Sequence, residues 1–192
     1  MPLDPILREI AAELHTDRLL LRPPRPGDGV RVHEAVVETL DALRAWPASL
    51  PWAMAPPSVA ASETFCRESA AAFLKRSELV YLVFDSRDSL VAACSLHGIH
   101  WSIPKFELGF WCRSGRQRQG LASEAASALV RHAFESLGAK RVEAFPDEAN
   151  AGSRSVCEAA GLELEGVLRN ERVTPSGEPR NTCVYAAIGL RG

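Results

Sequence analysis

The sequence predicts an α+β fold, a mixed, mainly antiparallel central sheet flanked by helices, as a single domain over residues 1–192. Three observations carry that reading. Strand patterns follow one another between residues 78 and 113 with short connections, and two more form a hairpin near the C-terminus. Such connections impose antiparallel pairing. One helical pattern separates the strands at 105–113 and 140–145, the kind of link a crossover uses. No internal repeat, low-complexity tract or linker interrupts the 192 residues, a length that supports one sizeable core.

The elements follow in order. Asp4-Pro5 joins an N-cap to a proline at the first helical position, and Ile6, Leu7, Ile10 and Leu14 share one face. Residues 1–15 therefore read as an amphipathic N-terminal helical extension. TDRLLLRPP (16–24) is a strand halted by prolines, and Asp28 caps a helix to about Ala45. WPASLPWAMAPPS (46–58) is a loop holding Pro47, Pro51, Pro56 and Pro57 with Trp46 and Trp52, too apolar for a mere linker. Ser58 caps the next helix, to about Arg76. ELVYLVFD (78–85) and SLVAACSLHGI (89–99) are strands joined by Ser86-Arg87-Asp88. KFELGFWCR (105–113) alternates Phe106, Leu108 and Phe110 with Glu107, Gly109 and Trp111, giving two distinct faces. A helix at 120–137 ends at Gly138, KRVEAF (140–145) is a strand, and a short helix at 150–160 ends at Gly161. LELEGVLRNERV and RNTCVYAAI, around TPSGEP, form the hairpin.

Composition excludes several classes. Apolar content of 46% with a mean hydropathy near zero marks a soluble globular protein. A net charge of −2 gives no global basic field toward nucleic acid or anionic membrane, so neither is an expected partner. No run of about 18 apolar residues exists to span a bilayer. MPLDPILREIAAEL carries acids early and lacks an apolar core, so no secretory signal is expected and the expected location is cytoplasmic. Cys66, Cys94, Cys112, Cys157 and Cys183 are scattered and never form C-x-x-C, which reads as reduced thiols without structural zinc. His97 and His100 read as ordinary histidines rather than a metal pair, so no metal is expected.

The stretch GRQRQGLASEA (115–125) spaces two glycines as a nucleotide P-loop does, yet Leu121 and Ala122 stand where that loop needs Lys and Ser/Thr. Magnesium-dependent nucleotide hydrolysis is thereby disfavoured, and the absence of G-x-G-x-x-G removes a dinucleotide reading. What remains is a helix N-terminus with unpaired N–H groups and the positive end of the dipole, suited to an anion. Gly120 admits close approach, small Ala122 and Ser123 leave room, and Arg113, Arg116 and Arg118 add positive charge.

Gln117-Arg118-Gln119-Gly120-Leu121-Ala122 resembles the Q/R-x-x-G-x-G/A signature of the GNAT acetyltransferases, whose loop amides bind the pyrophosphate of acetyl-CoA. The likeness covers almost the whole chain after residue 15 and is closest to the RimJ/RimL-type branch: TDRLLLRPPRPGD, the Trp-Pro loop, ELGFW at 107–111, NAGS at 150–153, and GL, EG and LR within 161–169. It implies the GNAT fold, with the strands at 105–113 and 140–145 splayed around pantetheine. Acetyl-CoA is then the co-substrate and a homodimer is compatible. Three positions depart from the family pattern: Arg118 stands where Gly is usual, Cys157 where many members carry the Tyr acid, and Leu162 where Phe is usual.

The implied reaction is direct acyl transfer to an amine in a ternary complex. A backbone N–H of the Trp111–Cys112 segment serves the oxyanion. Glu107 is the candidate base, with a solvated carboxylate or an ion pair to the acceptor as the alternatives. Cys157 is the candidate acid, because an ordinary thiol of pKa about 8.5 matches a leaving thiol; packing is its alternative. Ser153 hydrogen-bonds the sulfur or pantetheine, and Asn150 holds cofactor amides or caps its helix. Trp46 and Trp52 are expected to wall the acceptor site. At pH 7.4 an α-amine is about a quarter neutral and a lysine about 0.1%, so a chain without a certain base suits a protein N-terminal α-amine. A small amine such as an antibiotic, or acyl-CoA binding without turnover, stays open.

Overall fold

The computed structural model describes residues 4–189. Its strands are β1 (Leu14–His15), β2 (Leu19–Arg22), β3 (Leu79–Asp85), β4 (Leu90–His100), β5 (Lys105–Cys112), β6 (Arg141–Ala144), β7 (Glu163–Val173) and β8 (Pro179–Ile188). They form one sheet in the order β1-β2-β3-β4-β5-β6-β8-β7. Neighbours pair antiparallel except β5 and β6, which are parallel across the connection containing α3 (Leu121–Glu135). The other helices are α1 (Gly29–Arg44), α2 (Val59–Lys75) and α4 (Ala151–Ala159).

Two apolar layers follow from the two-residue period of the strands. On β3, Leu82 and Phe84 pack with Val32 and Val36 of α1 and Cys66 of α2, whereas Tyr81 and Val83 join the cluster that holds Leu129 of α3 and Cys157 of α4. LVYLVFD is a continuous apolar run because both its faces are covered.

Two N-terminal expectations are corrected. The predicted helix within 1–15 is only a 3-10 turn, Pro5–Leu7, capped by Asp4, which accepts from Ile6 N–H at 3.1 Å. Residues 1–3 of that expectation lie outside the described residues. Beyond the turn the chain is bound from outside: the Arg76 guanidinium donates to Arg8 O (2.9 Å) and the Tyr81 hydroxyl to Ala11 O (2.8 Å). An isolated helix of this length is marginal, and tertiary donors claim its carbonyls instead. The second correction concerns Asp28, whose side chain does not cap α1. It is buried against Arg22, which donates twice at 2.7 and 2.8 Å, and it accepts from Arg25 N–H. Burial is the strongest single influence and works against that carboxylate's charge, but the Arg22 hydrogen bonds, the Arg25 N–H and the charges of Arg22 and Arg31 together outweigh it and hold the pKa below the ordinary value. Glu63 of α2 takes over the capping, accepting from Gly27 and Gly29 N–H at 3.0 and 3.1 Å. Gly29 permits that approach, since a Cβ there would lie 2.7 Å from the Glu63 backbone. Among the described residues no helix is long and apolar enough to cross a membrane.

Candidate active site

The parallel pairing of β5 with β6 is brief, running from Lys105 opposite Arg141 to Glu107 opposite Glu143. Past that point the strands part. Arg113 N–H donates to Val91 O at 2.9 Å, so strand alternation turns the N–H groups of Gly109 and Trp111 toward β4 and those of Phe110 and Cys112 toward the gap. Within the Trp111–Cys112 segment, it is therefore the Cys112 N–H that faces the opening, joined by that of Phe110.

A cleft of about 670 Å³ occupies this opening. Leu108 to Trp111 form one side and Ala144 to Asp147 the other, with Asn150, Ser153 and Cys157 contributed by the α4 segment. Trp46 and Trp52 line it from the Pro-rich loop, and Phe65 lines it from α2. Trp52 is 48% exposed, so it belongs to the cleft wall and not to the buried core. The loop is held from both sides: Arg44 donates to Ala53 O at 3.0 Å, and Arg172 to Ser49 Oγ and Phe145 O, each at 3.2 Å.

The basic turn leads into α3. Arg118 and Gly120 both adopt positive φ, 58° and 76°. The backbone N–H groups of residues 118–123 find no acceptor among the described residues. Successive free N–H groups at a helix start form a concave anion site. The arginine expectation changes, however. Glu38 accepts from Arg113 Nε at 2.6 Å and from Gly115 N–H at 2.9 Å, and Arg116 lies 3.2 Å from Asp85. Arg118 has no carboxylate partner among the described residues. Arg18, missed by sequence reasoning, donates to Gln119 O (3.1 Å) and pairs with Glu124. Its approach from the residue just ahead of β2, across a sequence gap of 101 residues, leaves no local signal.

On α4, Asn150 Oδ1 accepts from Ser153 N–H at 3.0 Å, so it caps the helix while lining the cleft. Cys157 is fully buried, and burial pushes its thiol up to about 12. The pKa match that made it a candidate acid does not hold. Neither tyrosine takes its place: Tyr81 donates to Ala11 O, and Tyr185 to Glu158 at 2.8 Å.

Glu107 lies on the α1/α2 side of β5, where its Oε1 is 3.2 Å from His97 Nε2, and His97 Nδ1 is 3.2 Å from Ser95 Oγ. All three line the cleft. In the sequence His97 stands out only beside His100, yet Ser95 and His97 are two apart on a strand and so share a face.

A family model for the acetyltransferase (GNAT) domain matches residues 18–163. The Bacillus subtilis (strain 168) protein named Uncharacterized N-acetyltransferase YoaA is 29% identical over 102 residues, 53% of this chain and 57% of its own length. The chain thus spans a little over half the length of that curated relative. The structure of RimL, a ribosomal L7/L12 α-N-protein acetyltransferase in complex with coenzyme A, superposes with a TM-score of 0.83 at 20% identity, covering 91% of this chain and 96% of its own. That of the microcin C7 self-immunity acetyltransferase MccE, in complex with acetyl-CoA and AMP, gives 0.81 at 17% identity over 90% and 93%. At such identities the two likenesses show a shared fold. With the family model covering most of the sequence, the chain belongs to the GNAT acetyltransferase domain family.

Proposed function

We propose that the protein transfers an acetyl group from acetyl-CoA directly to a primary amine, the α-amine of a protein N-terminus, in a ternary complex. The carrying observation is the parting of β5 and β6 beside the unpartnered N–H groups of residues 118–123. Those groups and Arg118 suit a pyrophosphate, and the Phe110 and Cys112 N–H groups suit a carbonyl oxygen that gains charge. Gln117, Gln119, Leu121, Ala122 and Ser123 shape the phosphate loop, with Arg113 holding its base through Glu38. Asn150 offers its amide to the pantetheine arm. Glu107 takes the proton from the incoming ammonium, and Ser153 Oγ, which has no hydrogen-bond partner among the described residues, donates to the departing sulfur.

Trp52 and Phe65 line the cleft and remain substantially exposed, 48% and 39%. An apolar rim of this kind favours a peptide chain over a compact polar amine. RimL, whose fold is shared, acts on a protein α-amine by its name. The second reading, a small-amine acceptor, draws on the loop being pinned by Arg44 and Arg172, which encloses the site. An acceptor screen monitoring thiol release from acetyl-CoA separates them. Release with peptides bearing free N-termini, and none with a panel of small amines, is the expected outcome. Release with small amines alone selects the second reading, and coenzyme A binding without any acceptor-dependent release points to a binding module.

A further inference from the structure

We infer that His97 is a positioning residue for the acceptor's proton: it orients Glu107 on the acceptor side of the sheet and gives the proton taken by that carboxylate a place to rest. The inference deepens the acetyl-transfer reading and rests on it.

The geometry has three parts. His97 stands opposite Glu107 in the β4/β5 register, with Ser95 two residues earlier on the same face. The imidazole bridges them, Nε2 to Glu107 Oε1 and Nδ1 to Ser95 Oγ, 3.2 Å each. The backbone makes room for this arrangement. Gly109 lies opposite Ser95, and a Cβ there would come within 2.9 Å of both Ser95 Oγ and His97 Cε1. After His97 the register shifts before His100, with Gly98 at φ +54° in the irregular segment. A bulge re-aims the side chains beside it.

The chemistry balances as follows. With Nδ1–H donating to Ser95 Oγ, the Nε2 lone pair is the acceptor for the proton that Glu107 takes, and the Nε2–H to Glu107 hydrogen bond that fixes the carboxylate forms once that proton lies between them. The acceptor arrives as an ammonium and gives one proton to Glu107, which passes to Nε2. The amine is left neutral with its lone pair free for the acetyl carbonyl, and the Glu107–His97 pair goes from one negative charge to none. The charged groups acting on His97 are Glu107 from β5 and Glu78 just ahead of β3, and the Ser95 hydroxyl is its neutral partner. Burial opposes charging of the imidazole, but the hydrogen bond and charge of Glu107, with Glu78, outweigh it and raise its pKa above the ordinary value. Activity should therefore rise with pH through an apparent pKa above that of an ordinary histidine, as the pair empties to accept a proton.

The test compares the unaltered protein with His97→Gln, which keeps a donor toward Glu107 but cannot carry the proton. Two acceptors are used: a peptide with a free α-amine, and its hydrazide counterpart, which is neutral throughout the range. At pH 7, His97→Gln should lower kcat for the α-amine at least about tenfold, keep the hydrazide within about threefold, and lose the histidine limb of the pH profile. Equal losses on both acceptors, or an unchanged profile, would overturn the inference. If the unaltered protein acetylates neither acceptor, the acetyl-transfer reading fails, and with it the proton's role. The pairing is read separately by an NMR titration of His97, which needs no turnover. Glu107→Gln should lower the His97 pKa, and an unmoved pKa would overturn the pairing.

Discussion

An unperturbed thiol titrates near 8.5, close to a leaving thiol, which is why residue type alone makes Cys157 a candidate acid. Its surroundings change the chemistry: with no exposed surface, the thiol is pushed up to about 12 and holds its proton too firmly to give it away readily. Ser153, four residues earlier on α4, lines the cleft, and its hydroxyl has no hydrogen-bond partner among the described residues, which suits the proposed donation to the sulfur. Cys157→Ala should therefore leave kcat within about threefold in a chemistry-limited assay. A tenfold fall in kcat with acetyl-CoA affinity intact, in a folded variant, would restore the acid role to Cys157. Arg113 and Arg116 teach the same lesson. By residue type both are charges suited to a phosphate, and both are engaged by carboxylates, Glu38 and Asp85, distant in sequence.

At the scale of elements, the turn at 117–120 and the first turn of α3 act as one unit. Gly120 at φ 76° brings the chain into the helix, and among the described residues no side chain caps the N–H groups of its first turn. Gly120→Glu would place a carboxylate there and also strain the backbone by about 1–2 kcal/mol. Gly120→Asn separates the effects, since Asn tolerates the left-handed region. Calorimetry should show acetyl-CoA affinity more than about tenfold weaker for Glu, a difference above about 1.4 kcal/mol, with Asn in between. A Glu variant that binds as the parent does would remove the phosphate site from this turn.

Across the whole molecule, what was legible in the sequence is what depends on neighbours a few residues away. Alternation in KFELGFWCR, capping by Ser58 and Asn150, and termination at Gly138 and Gly161 each have local causes, and each stands in the structure. The eight-stranded sheet with its parallel β5/β6 crossover follows from those elements. What stayed hidden depends on partners brought from afar. The Arg76 and Tyr81 bonds that draw residues 8–11 out of a helix span about 70 positions. The Glu63 cap of α1 spans 34–36. The contact of His97 with Glu107 needed the β4/β5 register, which the bulge shifts by one residue further along.

The most direct test of the whole account is the initial rate of thiol release from acetyl-CoA, with acetyl-CoA and an α-amino peptide varied together. Transfer through one cleft that holds both substrates should give rates that require the peptide and double-reciprocal lines that intersect. Rates independent of the peptide, or parallel lines signalling an acetylated enzyme, would contradict direct transfer across the gap between β5 and β6.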